Sequence, residues 1–284
     1  MSASGSSSSE LDLIRLWSAS PRKKRFEAHE LYGGADAVAG ADVRAYAASL
    51  QQRSDQWLNL RNAFVTASMA ATYCGRGYGG VPEMMRQARA DRRGDAAAVV
   101  VTPAMRYGIE REAQFVSAYE RLVWTGEEPV ERAGLVICPD PGRGYFAASP
   151  DGLVGDSGAL EIKVTASQRR LMRQPADQWL VQVQLVMACA KRRWCDLASC
   201  YRPVDNIDGR DLDSDRSEML VRRVHYAPKL VEKIMRCATA YVRAVREGVD
   251  NVYELKSLRE DDMIIDNVRY VAKPLFKSLS RSTS

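Results

Sequence analysis

Apolar residues Ile109, Ala113, Val116, Tyr119 and Val123 recur at steps of three and four over residues 106–123, the spacing that lines one face of an α-helix. The period then shortens. Residues 135–138 and 145–148 are apolar runs on either side of Pro139-Asp140-Pro141-Gly142, a sequence that favours chain reversal, and the two runs are read as a β-hairpin. A third strand over 159–164 follows the Gly155 to Gly158 turn. Asp177 is read as the cap of a helix reaching Ala190, with Leu180, Val183, Leu185 and Met187 in it. A strand over 194–201, another over 219–225, and a final helix opened by Pro228 and ending near Gly248 complete the pattern. Helix, hairpin, strand, helix and strand in this order predict an α/β layer and exclude a bundle or a sandwich.

Residues 1–30 read as a basic N-terminal tail with a Ser-rich start, 31–276 as one domain, and 277–284 as a polar tail. The Gly-rich stretch 75–80 and the charged stretch 86–95 read as loops within that domain. Lys and Arg total 41 against 36 for Asp and Glu, a net charge of +5 that permits a nucleic-acid partner without requiring one. No long apolar run marks a signal peptide or a membrane span, so an intracellular protein is expected. The six cysteines show no C-x-x-C pair and are read as reduced thiols. His29 and His225 lack partners at ligand or triad spacing, and no phosphate-binding loop, dinucleotide fingerprint or G-x-S-x-G occurs.

The candidate chemistry lies in Ser149-Pro150-Asp151-Gly152 and, ten residues after Asp151, in Glu161-Ile162-Lys163. Alternate residues of a strand share a face, so Glu161 and Lys163 project together while Ile162 turns into the core. Two carboxylates and an ammonium can then meet. Hard oxygen ligands from Asp151 and Glu161 suit Mg²⁺ or Mn²⁺, and Lys163 can orient a water, help to deprotonate it, or stabilise a pentacovalent phosphorus. The bland alternatives are a solvated Glu–Lys surface pair and an ordinary Asp-Gly turn.

These residues resemble the phage lambda exonuclease and YqaJ-type viral recombinase family of the PD-(D/E)XK superfamily. Trp57-x3-Arg61-x4-Thr66-Ala67-Ser68, Gly108-x3-Glu112 with Tyr119 beyond it, and Gln182-Val183-Gln184 resemble three further blocks of that family, in the same order. Val164 departs from the Cys-Pro often found after the lysine, and the loop over 72–107 has no counterpart. The resemblance implies a restriction-endonuclease-like core, a central mixed β-sheet flanked by helices. It implies Glu112 as a third acid of a Mg²⁺ (or Mn²⁺) site, Gln182 as a further active-site residue, and Arg61, Thr66 and Ser68 as a pocket for a terminal phosphate. Without it, Glu112 reads as an exposed helix glutamate and Thr66 or Ser68 as a helix cap.

Gln182 and Gln184 lie about 200° apart around a helix, so only one can face the site, and Gln182 matches the family position. Trp57 is expected to pack rather than stack on a base, and Met105 to pack in the core rather than wedge open a terminal base pair. Arg169, Arg170, Arg173 and Lys191-Arg192-Arg193 can track a DNA backbone or remain solvated. Arg22-Lys23-Lys24-Arg25 resembles a DNA-binding arm or a nuclear-import signal, the latter if the protein is viral. The expected function is a Mg²⁺-dependent 5′ to 3′ exonuclease on linear double-stranded DNA with free ends, making single strands for recombination or replication. A ring-shaped homotrimer and a single-strand annealing partner are implied by the family alone. The alternatives are an endonuclease or RNA-cleaving enzyme with the same centre, and a catalytically silent nucleic-acid binding protein.

Overall fold

The computed structural model describes residues 41–61, 64–76, 85–86, 89–90, 102–140, 143, 146–165, 174–201, 217–247 and 263–272. The expected tails, the Arg22 to Arg25 run, His29, Arg169, Arg170, Arg173 and most of the 72–107 loop lie outside the described residues. The elements in chain order are α1 (Ala41–Ser49), α2 (Asp55–Arg61), β1 (Val65–Thr66), α3 (Ala67–Tyr73), α4 (Pro103–Leu122), β2 (Val136–Ile137), β3 (Phe146–Ala148), β4 (Gly152–Val154), β5 (Gly158–Thr165), α5 (Asp177–Ala190), β6 (Trp194–Tyr201), β7 (Glu218–His225), α6 (Pro228–Glu247) and β8 (Ile265–Ala272).

Five strands form a mixed sheet in the order β4-β5-β6-β7-β8, parallel only where α5 carries the chain from β5 to β6. The expected hairpin is present as the antiparallel pair β2 and β3, and β1 adds to β3 in parallel. Strand alternation sends Leu160 and Ile162 of β5 to one side, where they pack with Phe115, Val116 and Tyr119 of α4. Ala159 points the other way, with Cys195 and Leu197 of β6, against the apolar body of α5 and α6. The fold is therefore the expected mixed sheet with helices on both faces. All six cysteines are free and buried. Among the described residues no helix is long and apolar enough to cross a membrane.

Two expectations are corrected. The buried face of α4 is Phe115, Val116, Ala118 and Tyr119, whereas Ile109 and Ala113 are exposed, because they lie roughly 100° or more around the helix from the line through Gly108, Phe115 and Tyr119 that faces β5. The cap of α5 is Ala176, in extended conformation and without a side-chain hydrogen bond, and Asp177 sits instead in the first turn, where its charge suits the helix dipole.

The chain after α4 docks on α1 through Gly134, whose N–H donates to Ala48 O at 2.9 Å while Leu135 N–H donates to Ala47 O at 2.8 Å. A Cβ on Gly134 would lie 2.4 Å from Leu50 O and 2.7 Å from the carbonyl oxygens of Ala47 and Ala48. Backbone atoms cannot rotate aside as a side chain can. Gly134→Ala is thus expected to cost about 2–3 kcal/mol, read as a lower thermal midpoint; an unchanged midpoint would show that the close approach is absent.

Candidate active site

Asp151 stands between β3 and β4 on a backbone held from several directions. Its N–H donates to Leu160 O at 3.1 Å, and its carbonyl accepts from Arg132 Nη1 at 3.2 Å. The preceding carbonyl, of Pro150, accepts from Gln52 Nε2 at 2.8 Å, and the same amide nitrogen also donates to Ala133 O at 2.8 Å. One Asp151 oxygen, Oδ2, accepts from the N–H of Ile162 at 2.6 Å, which lays the carboxylate against β5. Burial, then the charges of Glu161 and Glu112, push the Asp151 pKa well above the usual carboxylate range; Lys163 and the Ile162 N–H act in the opposite direction.

Glu161 and Lys163 share the β5 face that meets α5. Lys163 Nζ donates to Glu161 Oε1 at 2.5 Å and to Gln182 Oε1 at 3.2 Å. Gln182 Nε2 donates to the same Glu161 Oε1 at 2.6 Å. Both donors therefore fall on one oxygen, and Glu161 Oε2 is left buried without a hydrogen-bond partner. A bare carboxylate oxygen in a nearly closed environment is costly unless a donor or cation meets it. The Glu–Lys pair is thus part of a buried network, since Glu161 is only 3% exposed, and the solvated surface pair is excluded.

Helical geometry separates the two glutamines as expected. Gln184 is fully buried, donates to His225 O at 2.7 Å and accepts from Ala227 N–H at 2.9 Å, pinning the turn from β7 into α6. Glu112 of α4 is near enough for its charge to raise the Asp151 pKa, but its Oε2 is paired with Arg53 Nη2. Among the described residues no three His, Cys, Asp or Glu side chains stand together as a ready metal cage. Asp151 lies near enough to Glu161 and Glu112 for both charges to act on it, and Glu112 is held in its own ion pair with Arg53.

A family model described as the YqaJ-like viral recombinase domain matches residues 56–193, a span that runs from α2 past Asp151, Glu161, Lys163 and Gln182 to the end of α5. Those residues carry a YqaJ-like viral recombinase domain. Its fold is similar to that of an alkaline exonuclease from Laribacter hongkongensis, with a TM-score of 0.54 and 26% identity over 69% of this chain and 94% of that one. The same enzyme in complex with dAMP gives the same similarity, again 26% identity with a TM-score of 0.54, over 69% of this chain and 94% of that one. No curated protein is similar enough to match.

Within this YqaJ-like domain the amino-terminal block is tied to the site through Trp57, whose Nε1 donates to Ser149 Oγ at 3.0 Å, two residues before Asp151. Trp57 packs in the core as expected, and the Arg61 guanidinium lies 5.1 Å from its ring centre. Arg61 Nη2 donates to Ser68 Oγ at 2.6 Å, and Ser68 Oγ is 3.3 Å from Thr66 Oγ1. Thr66 occupies the N-cap position of α3 but makes no side-chain cap hydrogen bond. The three expected phosphate-pocket residues therefore form one connected group of donors.

Other expectations fare differently. Met105 is 48% exposed, which overturns its assignment to the core; it lies in the first turn of α4, outside the cluster that packs on β5. Lys191 pairs with the carboxylate of Asp140, and Arg192 donates to the carbonyl of Asp156. His225 Nε2 lies 2.7 Å from Asp266 Oδ2 across the β7 and β8 pair.

Sequence reasoning missed two residues at the site. Arg53, the partner of Glu112, has φ of +71°, a left-handed conformation that no local residue pattern announces. Trp179 lies under Lys163, with Nζ 4.3 Å from the ring centre. Its signal was present as W-x2-Q, because Trp179 and Gln182 are three residues apart on one helix and so share a face.

Proposed function

We propose that this protein is a divalent-metal-dependent deoxyribonuclease that degrades linear double-stranded DNA from its ends, 5′ to 3′, leaving single strands for recombination. The observation that carries this reading is the Glu161 carboxylate, fixed at Oε1 by Lys163 and Gln182 and bare at Oε2, beside a second buried acid. That donor set fits a hard cation, with Asp151 and Glu161 as its ligands and Glu112 joining them on release from Arg53. Mg²⁺ or Mn²⁺ bound there would make water a stronger nucleophile and offset charge on the phosphate.

The chain's own residues supply the rest. Gln182 holds the Glu161 carboxylate in one orientation, and Lys163 brings a positive charge and N–H donors to the place where phosphate charge builds. Arg61, Thr66 and Ser68 offer a guanidinium and two hydroxyls to a terminal phosphate, which favours attack at a strand end. The similarity to an alkaline exonuclease supports the same choice.

A 5′-phosphorylated linear duplex and a closed circular duplex, each with Mg²⁺ or with chelator, test the proposal directly. The linear substrate should be degraded to nucleotides only with the metal, and the circle should survive. Asp151→Ala, Glu161→Ala and Lys163→Ala should each abolish cleavage in a folded protein. Cleavage of the circle would make the enzyme an endonuclease, and activity retained in a folded Asp151→Ala or Glu161→Ala protein would defeat the assignment.

A further inference from the structure

We infer that Trp179 is a positioning residue for Lys163: its indole face holds the ammonium in place without cancelling its charge. The inference rests on the nuclease reading above and concerns a side chain that the family blocks seen in the sequence do not include.

Lys163 ends a flexible four-carbon stem, and an ammonium has three N–H donors to direct. Two of its contacts are to Glu161 Oε1 and Gln182 Oε1, at 2.5 and 3.2 Å. The third is the ring of Trp179, whose centre is 4.3 Å from Nζ, well inside cation–π range. Trp179 is half-buried at the start of α5 and packs on the apolar cluster beneath that helix, so the platform is itself fixed. Gln182, one turn onward, rises from the same helix face. Among the described residues a single helix thus presents two of the three groups in contact with the ammonium.

The chemical identity of the third group matters. A carboxylate there would pin Lys163 equally well but would add a further negative charge to that of Glu161 in direct contact and Asp151 nearby, offsetting the cation that a phosphate needs. An indole attracts the ammonium through its ring quadrupole and carries no net charge. It leaves the charge of Lys163 available to the substrate.

Three variants separate this role from simple packing. Trp179→Leu keeps an apolar side chain on the core but has no aromatic face; Trp179→Phe and Trp179→Tyr keep one. With thermal midpoints matched to wild type, Trp179→Leu should lower kcat about tenfold, equivalent to about 1.4 kcal/mol, with KM for linear DNA within about twofold. The Phe and Tyr variants should recover most of that loss. Unchanged kcat in a folded Trp179→Leu protein overturns the inference, as does an equal loss in all three variants. So does a loss confined to KM, which would make Trp179 a DNA contact instead.

Fluorescence gives a second measurement that needs no cleavage. Lys163→Met should change tryptophan emission in the wild-type background and leave it unchanged in the Trp179→Phe background. An equal change in both backgrounds, or none in either, disproves the contact. That fluorescence dependence in a protein whose wild type cleaves no DNA would instead remove the nuclease assignment while the contact stands.

Discussion

Asp151→Asn is expected to melt at a higher temperature than wild type in chelator while losing cleavage by at least about a thousandfold. The stability half follows from the sign of the pKa shift. Burial and the neighbouring charges of Glu161 and Glu112 raise the Asp151 pKa in the folded protein, so folding favours the protonated acid. Its favourable contribution is complete at pH below the ordinary carboxylate range and is lost as pH rises through the raised folded value. Once ionised in the folded protein, the Asp151 carboxylate lacks solvation that it would have in the unfolded chain. Asparagine keeps an oxygen to accept from the Ile162 N–H and carries no charge at any pH.

The gain should be about 1–2 kcal/mol, a few degrees in thermal midpoint, and largest at the alkaline end. Divalent cation should stabilise wild type and leave Asp151→Asn nearly unmoved, because the variant lacks the charge of one proposed ligand. Melting curves from pH 5 to 9 with chelator or Mn²⁺ decide the matter. A variant less stable than wild type throughout would mean that the Asp151 charge is already compensated within the protein, and the metal reading would lose its physical motive.

The parts of this site that were legible in sequence are those set by local periodicity. Two-residue alternation put Glu161 and Lys163 on one face of β5, and the 100° step of a helix separated Gln182 from Gln184. The hairpin was visible because Pro139 to Gly142 interrupts two apolar runs. The short elements were not visible. The three residues of β4 are masked by Pro150-Asp151-Gly152, which reads as a turn, although it is this turn that seats Asp151 against β5. Strand β8 begins at Ile265 after a polar stretch and exists through pairing with β7.

Misreadings arose where tertiary position overrode a local pattern. Ile109 and Met105 carry core chemistry but lie on α4 outside the cluster that packs on β5, and both are exposed. Arg53 and Glu112 are 59 positions apart, and nothing in either neighbourhood announces the pairing. Contacts of that range are products of the whole fold.

Asp196 shows the same limit at its strongest, and its loss is expected to be the most destabilising single change among the buried polar residues described. In sequence it is a polar interruption of a strand. In the fold it is fully buried, accepting from the Tyr119 hydroxyl at 2.6 Å and from Arg223 Nε and Nη2 at 2.8 Å each. The Arg223 guanidinium is stacked 3.7 Å from the Trp194 ring centre. Burial and the Asp196 charge push the Tyr119 phenol far up, so it remains a donor at every pH the enzyme meets.

The group joins α4 to β6 and β7, on the sheet face opposite Lys163. Asp196→Ala would leave a guanidinium and a hydroxyl without their shared acceptor, at a cost of about 3–5 kcal/mol. Tyr119→Phe removes one donor and leaves the ion pair, costing about 1–2 kcal/mol. Because α4 also carries Glu112, the Tyr119→Phe protein should fold and bind Mn²⁺ more weakly, whereas Asp196→Ala should be largely unfolded at 37 °C. Denaturant titration orders the two variants. Equal stability of Asp196→Ala and wild type would show that α4 is held by its apolar face alone.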